Sequence, residues 1–204
     1  TLFVGTTAGL CRFDPLSETL VMVEPLRSII VGDVQQIDDE TLWMATYAHG
    51  VISYNTSDGS VDFLGWGEEC SASLVSSLCI DAAGTVWAMG FTSGLFKSDG
   101  GTFERVNRAK SGFDSSEVFF TALQDSDGYL WIATDKGLVR YSEADGEVFR
   151  FTEQEGLINN KLRKASFVLA DSTMLFGSDD GFIRLNPAEF KSYSPLTCPV
   201  VSEK

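Results

Sequence analysis

Apolar runs of four to six residues alternate with polar, glycine-bearing turns along the whole chain, and no stretch of 12 or more residues holds a helical period. Five of the runs share one pattern. They are Leu2–Leu10, Leu42–Val51, Val86–Leu95, Leu130–Leu138 and Met174–Phe182. The second residue of each is Phe3, Trp43, Trp87, Trp131 and Leu175, at separations of 40, 44, 44 and 44. A fixed period of this length is the signature of a repeat architecture.

Each period predicts four short strands. An apolar run ends in an acidic turn, as in Ile80-Asp81-Ala82-Ala83-Gly84 and Leu123-Gln124-Asp125-Ser126-Asp127-Gly128, where Asp and Gly supply tight-turn chemistry. The Leu-Trp segment is the second strand, and its unbroken apolar character predicts burial on both faces. A second turn follows, closed by Gly9, Gly50, Gly94, Gly137 or Gly181, with glycine supplying positive φ. The third strands are Leu10–Phe13, Val51–Tyr54, Leu95–Lys97, Leu138–Tyr141 and Phe182–Leu185, and a fourth strand is typified by Val148–Thr152. An antiparallel four-stranded unit of about 44 residues is the size of a β-propeller blade. A β-sandwich would give no reason for a tryptophan at this period. In a propeller, one large flat side chain per blade fills the same gap against the next blade.

The expectation is an all-β propeller of about five blades, with repeats near 1–26, 27–66, 67–108, 109–153 and 154–190. The first blade should begin at its second strand. The last should lack its outer strand unless Pro199–Ser202 supplies one. The chain is expected to be a fragment of a larger propeller, with 191–204 as a linker or the start of a following domain.

The net charge is −14, from 29 acidic and 15 basic residues, which disfavours nucleic acid and anionic membrane surfaces as partners. The longest apolar stretches fall far short of the roughly 20 residues a membrane helix needs. Cysteines stand at 11, 70, 79 and 198, with no CxxC pair and none near the lone His49 in sequence, so a zinc site is not expected. Cys11 and Cys79 lie in apolar strand patterns and are expected to be buried.

The stretch Asp125-Ser126-Asp127-Gly128-Tyr129-Leu130-Trp131-Ile132-Ala133-Thr134-Asp135-Lys136-Gly137-Leu138-Val139-Arg140-Tyr141 resembles the two-component-regulator propeller repeat of Bacteroidetes hybrid sensors. Glu155-Gly156-Leu157-Ile158-Asn159-Asn160 is similar to that family's connector, and Phe176–Pro187 to its final blade. Ala45, Met89 and Ala133 depart from the usual glycine, and Met89-Gly90 stands where Gly-Thr is expected. The resemblance implies a periplasmic sensor region. In such sensors a propeller leads into an immunoglobulin-like domain, a membrane helix, a histidine kinase and a DNA-binding response regulator, and the ligands are oligosaccharides from complex glycans.

Catalysis has little support in the sequence, because a nucleophile triad needs a histidine base and His49 is the only one. Carboxylates of the kind a glycosidase needs are abundant but sit in turns. Asp125–Gly128 begins like a calcium loop, yet Tyr129 and Lys136 occupy positions that need oxygen ligands, so a hairpin turn is the expectation. No metal or cofactor is expected.

Strand order puts the second-to-third turns and the blade connectors at one edge. That edge collects Tyr47, His49, Phe91, Asp135 and Lys136 from turns, and Trp66, Arg108, Asn159, Asn160 and Arg163 from connectors. In the second and third copies the turn is one residue longer and carries the aromatics. Aromatic rings with amides and charges suit sugar recognition, and loops on a rigid scaffold are where binding residues concentrate. The alternative is that these residues merely cap the core and solvate turns.

The leading expectation is a ligand-sensing propeller region that binds or relays oligosaccharides. Alternatives are a protein-interaction or dimerisation scaffold and, remotely, a lyase- or glycosidase-type enzyme. Blade faces left open are expected to self-associate, or to be removed by closure of the ring.

Overall fold

The computed structural model describes residues 1–66, 74–98, 100–106, 113, 116–190 and 201–203, with backbone alone for Trp66 and 201–203. The chain is all-β, and its antiparallel sheets are the blades of a β-propeller fold. Three short 3-10 turns, at Glu24–Leu26, Glu153–Glu155 and Pro187–Phe190, are the helical content of the described residues. The chain divides into two compact units, Thr1–Arg105 and Val106–Lys204.

The first unit holds three sheets. One is β1 (Leu2–Thr6), β2 (Gly9–Asp14) and β3 (Thr19–Met22). The next is β4 (Val31–Gln36), β5 (Thr41–Thr46), β6 (Val51–Asn55) and β7 (Val61–Phe63). The third adds β8 (Gly65–Trp66), β9 (Val75–Ile80), β10 (Val86–Gly90), β11 (Gly94–Ser98) and β12 (Thr102–Arg105). Its order is β8-β12-β11-β10-β9, and β8 pairs parallel with β12, placing Trp66 beside Phe103 in the ladder. The connector before the third blade is thus drawn into a sheet, which its two-residue length gave no pattern to predict.

The second unit holds two sheets of four strands. One is β13 (Phe119–Gln124), β14 (Leu130–Thr134), β15 (Gly137–Tyr141) and β16 (Val148–Phe151). The other is β17 (Leu162–Val168), β18 (Met174–Ser178), β19 (Gly181–Leu185) and β20 (Val201–Glu203). β20 pairs antiparallel with β19, so residues 201–203 supply the fourth strand of that sheet.

Second strands are buried on both faces in β5, β10 and β14, apart from half-buried Thr41, which is why their sequences lack alternation. Trp43, Trp87 and Trp131 are all buried. Trp43 lies 5.8 Å from Phe103 of the next sheet, and Trp131 stacks on Phe151 at 5.5 Å and meets Phe190 edge-on at 5.2 Å. Phe3 is half-buried, 6.5 Å from Tyr54, and Leu175 is half-buried. Cys11 and Cys79 are buried thiols outside any disulfide; Cys70 and Cys198 lie outside the described residues.

First strands carry a bulge at a constant place. The register shifts between Val31 and Asp33, between Phe119 and Thr121, and opposite Met89/Gly90, where the ladder passes over Ser76. A bulge turns the strand and re-aims the side chain beside it. Beside it, Asp33 accepts from the Leu78 amide at 2.9 Å and the Ser77 hydroxyl at 3.0 Å, linking β4 to β9. In the second unit Thr121 and Ser166 hydroxyls meet at 2.9 Å, linking β13 to β17.

Candidate functional site

Turns and connectors meet at one edge of each blade because the strands alternate in direction, and a repeated backbone bond fastens them there. The amides of Tyr47, Phe91, Asp135 and Asp179 donate to the carbonyls of Ile30, Leu74, Val118 and Lys161. Four of the five turns are also closed by a hydroxyl. Thr6, Thr46, Thr134 and Ser178 donate to the carbonyls of Gly9, Gly50, Gly137 and Gly181 at 2.8, 2.9, 2.8 and 3.2 Å. Gly137 has a φ of +117°, and a side chain there would strike the Phe151 carbonyl oxygen at 2.2 Å, so glycine is required on two counts. Gly90 replaces the threonine in the third blade. A Cβ at 90 would lie 2.2 Å from the Ser93 hydroxyl oxygen, so the serine of the turn occupies the space a residue 90 side chain would need.

In the first unit this edge presents rings. Tyr47 is 42% exposed, and exposed His49 sits edge-on to Phe63 at 5.8 Å, with Phe63 itself 61% exposed. Phe91 is half-buried. Arg108 lies outside the described residues, and for Trp66 only the backbone is placed.

In the second unit the candidates are engaged with their own chain. Asp135 accepts from the Val118 amide at 2.9 Å, and Lys136 donates to the Ser116 hydroxyl at 2.8 Å. Asn159 donates to Asp180 at 2.8 Å and accepts from the Lys161 amide, while Asn160 accepts from the Glu153 amide at 2.8 Å. Arg163 pairs with Asp179 through two bonds. The guanidinium holds the Asp179 carboxyl below its ordinary pKa, and the carboxylate raises that of Arg163 in return. These residues build the edge; the first unit's rings face solvent from it.

Sequence reasoning overlooked three polar residues of the interior. Fully buried Glu117 forms a two-pronged pair with Arg150 of β16. Buried Arg140 donates to the Phe190 carbonyl at 2.9 Å, and its guanidinium lies 4.7 Å from Tyr129 and 4.9 Å from Phe149. Asp81 closes its turn through the Ala83 and Thr85 amides and takes the Trp87 indole N–H at 2.9 Å. Asp125 repeats this with Asp127, Tyr129 and the Trp131 indole at 2.8 Å, so the segment that begins like a calcium loop is a hairpin turn. The six-residue Asp-to-Trp spacing was a visible signal for the last of these. Among the described residues no group of three or more His, Cys, Asp or Glu is placed to hold a metal ion, and no helix is long and apolar enough to cross a membrane.

Three comparisons bear on this geometry. The two component regulator propeller family matches residues 112–136. Histidine kinase P4 of Formosa agariphila is 27% identical over 106 residues, covering 50% of this chain and 8% of the kinase. The extracellular domain of a B. thetaiotaomicron protein titled a hybrid two component system superposes with a TM-score of 0.74 at 20% identity, over 96% of this chain and 28% of that one. Virginiamycin B lyase of Staphylococcus aureus shares the blade architecture at a TM-score of 0.64 and 12% identity, over 88% of this chain and 60% of the lyase. At these identities the solved structures establish the fold, and the chain spans under a third of the sensor domain it matches. The matched residues fall in the fourth blade, whose β13 and β14 are thus similar to a repeat of the two component regulator propeller family.

Proposed function

We propose that this segment is the ligand-sensing propeller region of a periplasmic sensor in a hybrid two-component system. It binds, or relays the binding of, glycan-derived oligosaccharides that control polysaccharide utilisation, and a membrane-anchored parent chain carries the kinase. The observation that carries this reading is the match of residues 112–136 to the regulator-propeller family, within a fold shared over 96% of the chain with an extracellular two-component domain. Tyr47, His49 and Phe91 are the contacts nearest to a ligand, the first two on a turn held by a backbone and a hydroxyl bond and Phe91 on a turn held by a backbone bond. The segment itself performs no chemistry. Its turn carboxylates Asp38, Asp58, Asp145 and Asp171 are held below their ordinary pKa by turn amides and hydroxyls, which keeps them ionised and unsuited to act as general acids. Titration calorimetry with oligosaccharides should give saturable heat, with no cleavage or elimination product from the same sugars. A product would return the enzyme reading.

A second reading, a scaffold that associates with itself, is favoured by one observation. β17–β19 bury one face, with Met174, Phe176 and Ile183, and expose Phe167 and Phe182 on the other, with Phe167 63% exposed. Light scattering tests it: a mass that stays monomeric at high concentration would remove it.

A further inference from the structure

The fourth blade packs five rings together with one arginine. Trp131 pairs across its hairpin with Arg140, and Arg140 with Phe149. The Arg140 guanidinium lies 4.7 Å from the Tyr129 ring and 4.9 Å from that of Phe149. Phe151 and Phe190 meet Trp131 at 5.5 and 5.2 Å. Phe190 comes from the turn after β19, in the following sheet, and its main-chain carbonyl accepts from Arg140 at 2.9 Å.

The first blade keeps the arginine and shrinks everything around it. Arg12 pairs with Phe3 on one side and Val21 on the other, so these three hold the places of Arg140, Trp131 and Phe149. Thr1 precedes Leu2 as Tyr129 precedes Leu130. The Val23 amide donates to the Leu10 carbonyl, which sets Val23 opposite Leu10 as Phe151 is set opposite Leu138. Tyr54 pairs with Leu42 as Leu185 pairs with Met174, and five residues beyond them stand Gly59 and Phe190. Thr1, Phe3, Val21, Val23 and Gly59 thus replace Tyr129, Trp131, Phe149, Phe151 and Phe190, each by a smaller residue. With Arg12, all five line one cleft of about 520 Å³ between the first and second sheets, within the roughly 300–1,000 Å³ range of binding sites. Between the second and third sheets the corresponding space is closed, by Trp43, Leu64 and Phe103 in one core cluster.

Arg12 is exposed, and no hydrogen bond or ion pair engages it among the described residues. The cleft therefore has the surroundings of Phe190 without a Phe190. What fills that place in the fourth blade is a ring presented by a turn, with the carbonyl of the same residue on the guanidinium. Tyr54, edge-on to Phe3, offers a second ring to the first-blade cleft. Its lining carboxylates Glu24 and Asp39, with a net charge of −14, oppose an anion and favour a neutral acceptor on Arg12.

We propose that this cleft docks an aromatic side chain from a turn of a partner polypeptide, with Phe3 and Val23 against the ring and Arg12 donating to the main-chain carbonyl of the same residue. The site is separate from the sensing reading and leaves Tyr47, His49 and Phe91 to the contacts named there. The cleft opens among first- and third-turn residues such as Asp39, Thr56 and Gly59, whereas Tyr47 and His49 stand on a second-to-third turn. The probe is the acetylated and amidated peptide Asn-Pro-Ala-Glu-Phe, which copies Asn186–Phe190. Heteronuclear NMR titration of the chain with it should give saturable shifts, and the peptide carrying Phe190→Ala should bind at least about tenfold more weakly. Val23→Phe puts back a ring that the fourth blade has, and Arg12→Met removes the donor while keeping the side chain's bulk. Each should weaken the peptide at least about tenfold, the size of a lost charged hydrogen bond, with the melting temperature retained. Tyr47→Ala should leave its affinity unchanged. Should Val23→Phe fail to fold, Arg12→Met still decides. A peptide that does not bind, that binds as well with alanine in place of its ring, or that is indifferent to Arg12→Met would overturn the cleft. Loss of binding in Tyr47→Ala would move the contact to the other turns and overturn it too. Tighter binding of the same peptide as a free acid would overturn the neutral carbonyl on Arg12.

Discussion

A single carboxylate in two of the blades does two tasks. Asp81 and Asp125 each close a hairpin turn through backbone amides and accept the indole N–H of the tryptophan six residues on. A buried indole without an acceptor is costly, so the turn supplies what the core requires. Asp125→Asn would set an amide N–H against the indole N–H, and urea denaturation should show a loss of about 1–3 kcal/mol. Trp131→Ala, which empties a fully buried site, should cost roughly 3–5 kcal/mol by the same measurement. An unchanged midpoint in Trp131→Ala would contradict its role between blades. The burial of Trp43, Trp87 and Trp131 was legible from their spacing. The indole bond was not, because the direction of a ring nitrogen depends on how the strand twists out of the turn. The same holds at Glu117, whose partner Arg150 lies 33 residues away and shares no motif with it.

At the scale of strands and turns, four of the five observed third strands start one residue before the apolar runs, at the turn glycine, and β6 starts at Val51 as its apolar run does. That glycine is not replaceable by alanine. Gly137→Ala combines a φ of +117° with a 2.2 Å approach to the Phe151 carbonyl, and should lower stability by on the order of 1–3 kcal/mol or more. Gly146→Ala is the control: its φ is +73° and nothing stands within 4 Å, so thermal denaturation should show a loss of only about 1 kcal/mol. Equal losses would mean that the approach to β16 does not matter. The edge itself was legible, since strand order dictates where turns and connectors meet. Its chemistry was less so. Asn159, Asn160 and Arg163 look in sequence like side chains available to a ligand, and only the folded register shows that Asp180, the Glu153 amide and Asp179 engage them.

For the whole molecule, the numerous turn carboxylates set the response to acid. Asp14, Asp38, Asp58 and Asp171 are held below the ordinary range chiefly by turn amides, and Asp145 and Glu155 chiefly by hydroxyls. A pKa lower in the folded state contributes stability above the unfolded value of about 4, and that stability is lost as pH falls through the folded values. The melting temperature should therefore decline between about pH 4 and pH 2, and a rise over that interval would contradict the assignment. High salt should blunt the effect, since these groups lie at the surface. Far-ultraviolet circular dichroism should show β structure with little helix, as three 3-10 turns imply.

The hydroxyl that closes four of the second-to-third turns has a further consequence. Thr46 grips the Gly50 carbonyl across three intervening residues, and Thr134 grips Gly137 across two. The strands on either side keep the same pairing, with Ala45 opposite Val51 and Ala133 opposite Leu138. A residue has thus been gained or lost inside the clasp without disturbing the sheet beneath. The clasp therefore accepts a segment of either length between its threonine and its glycine while the strand pairing on both sides stays fixed.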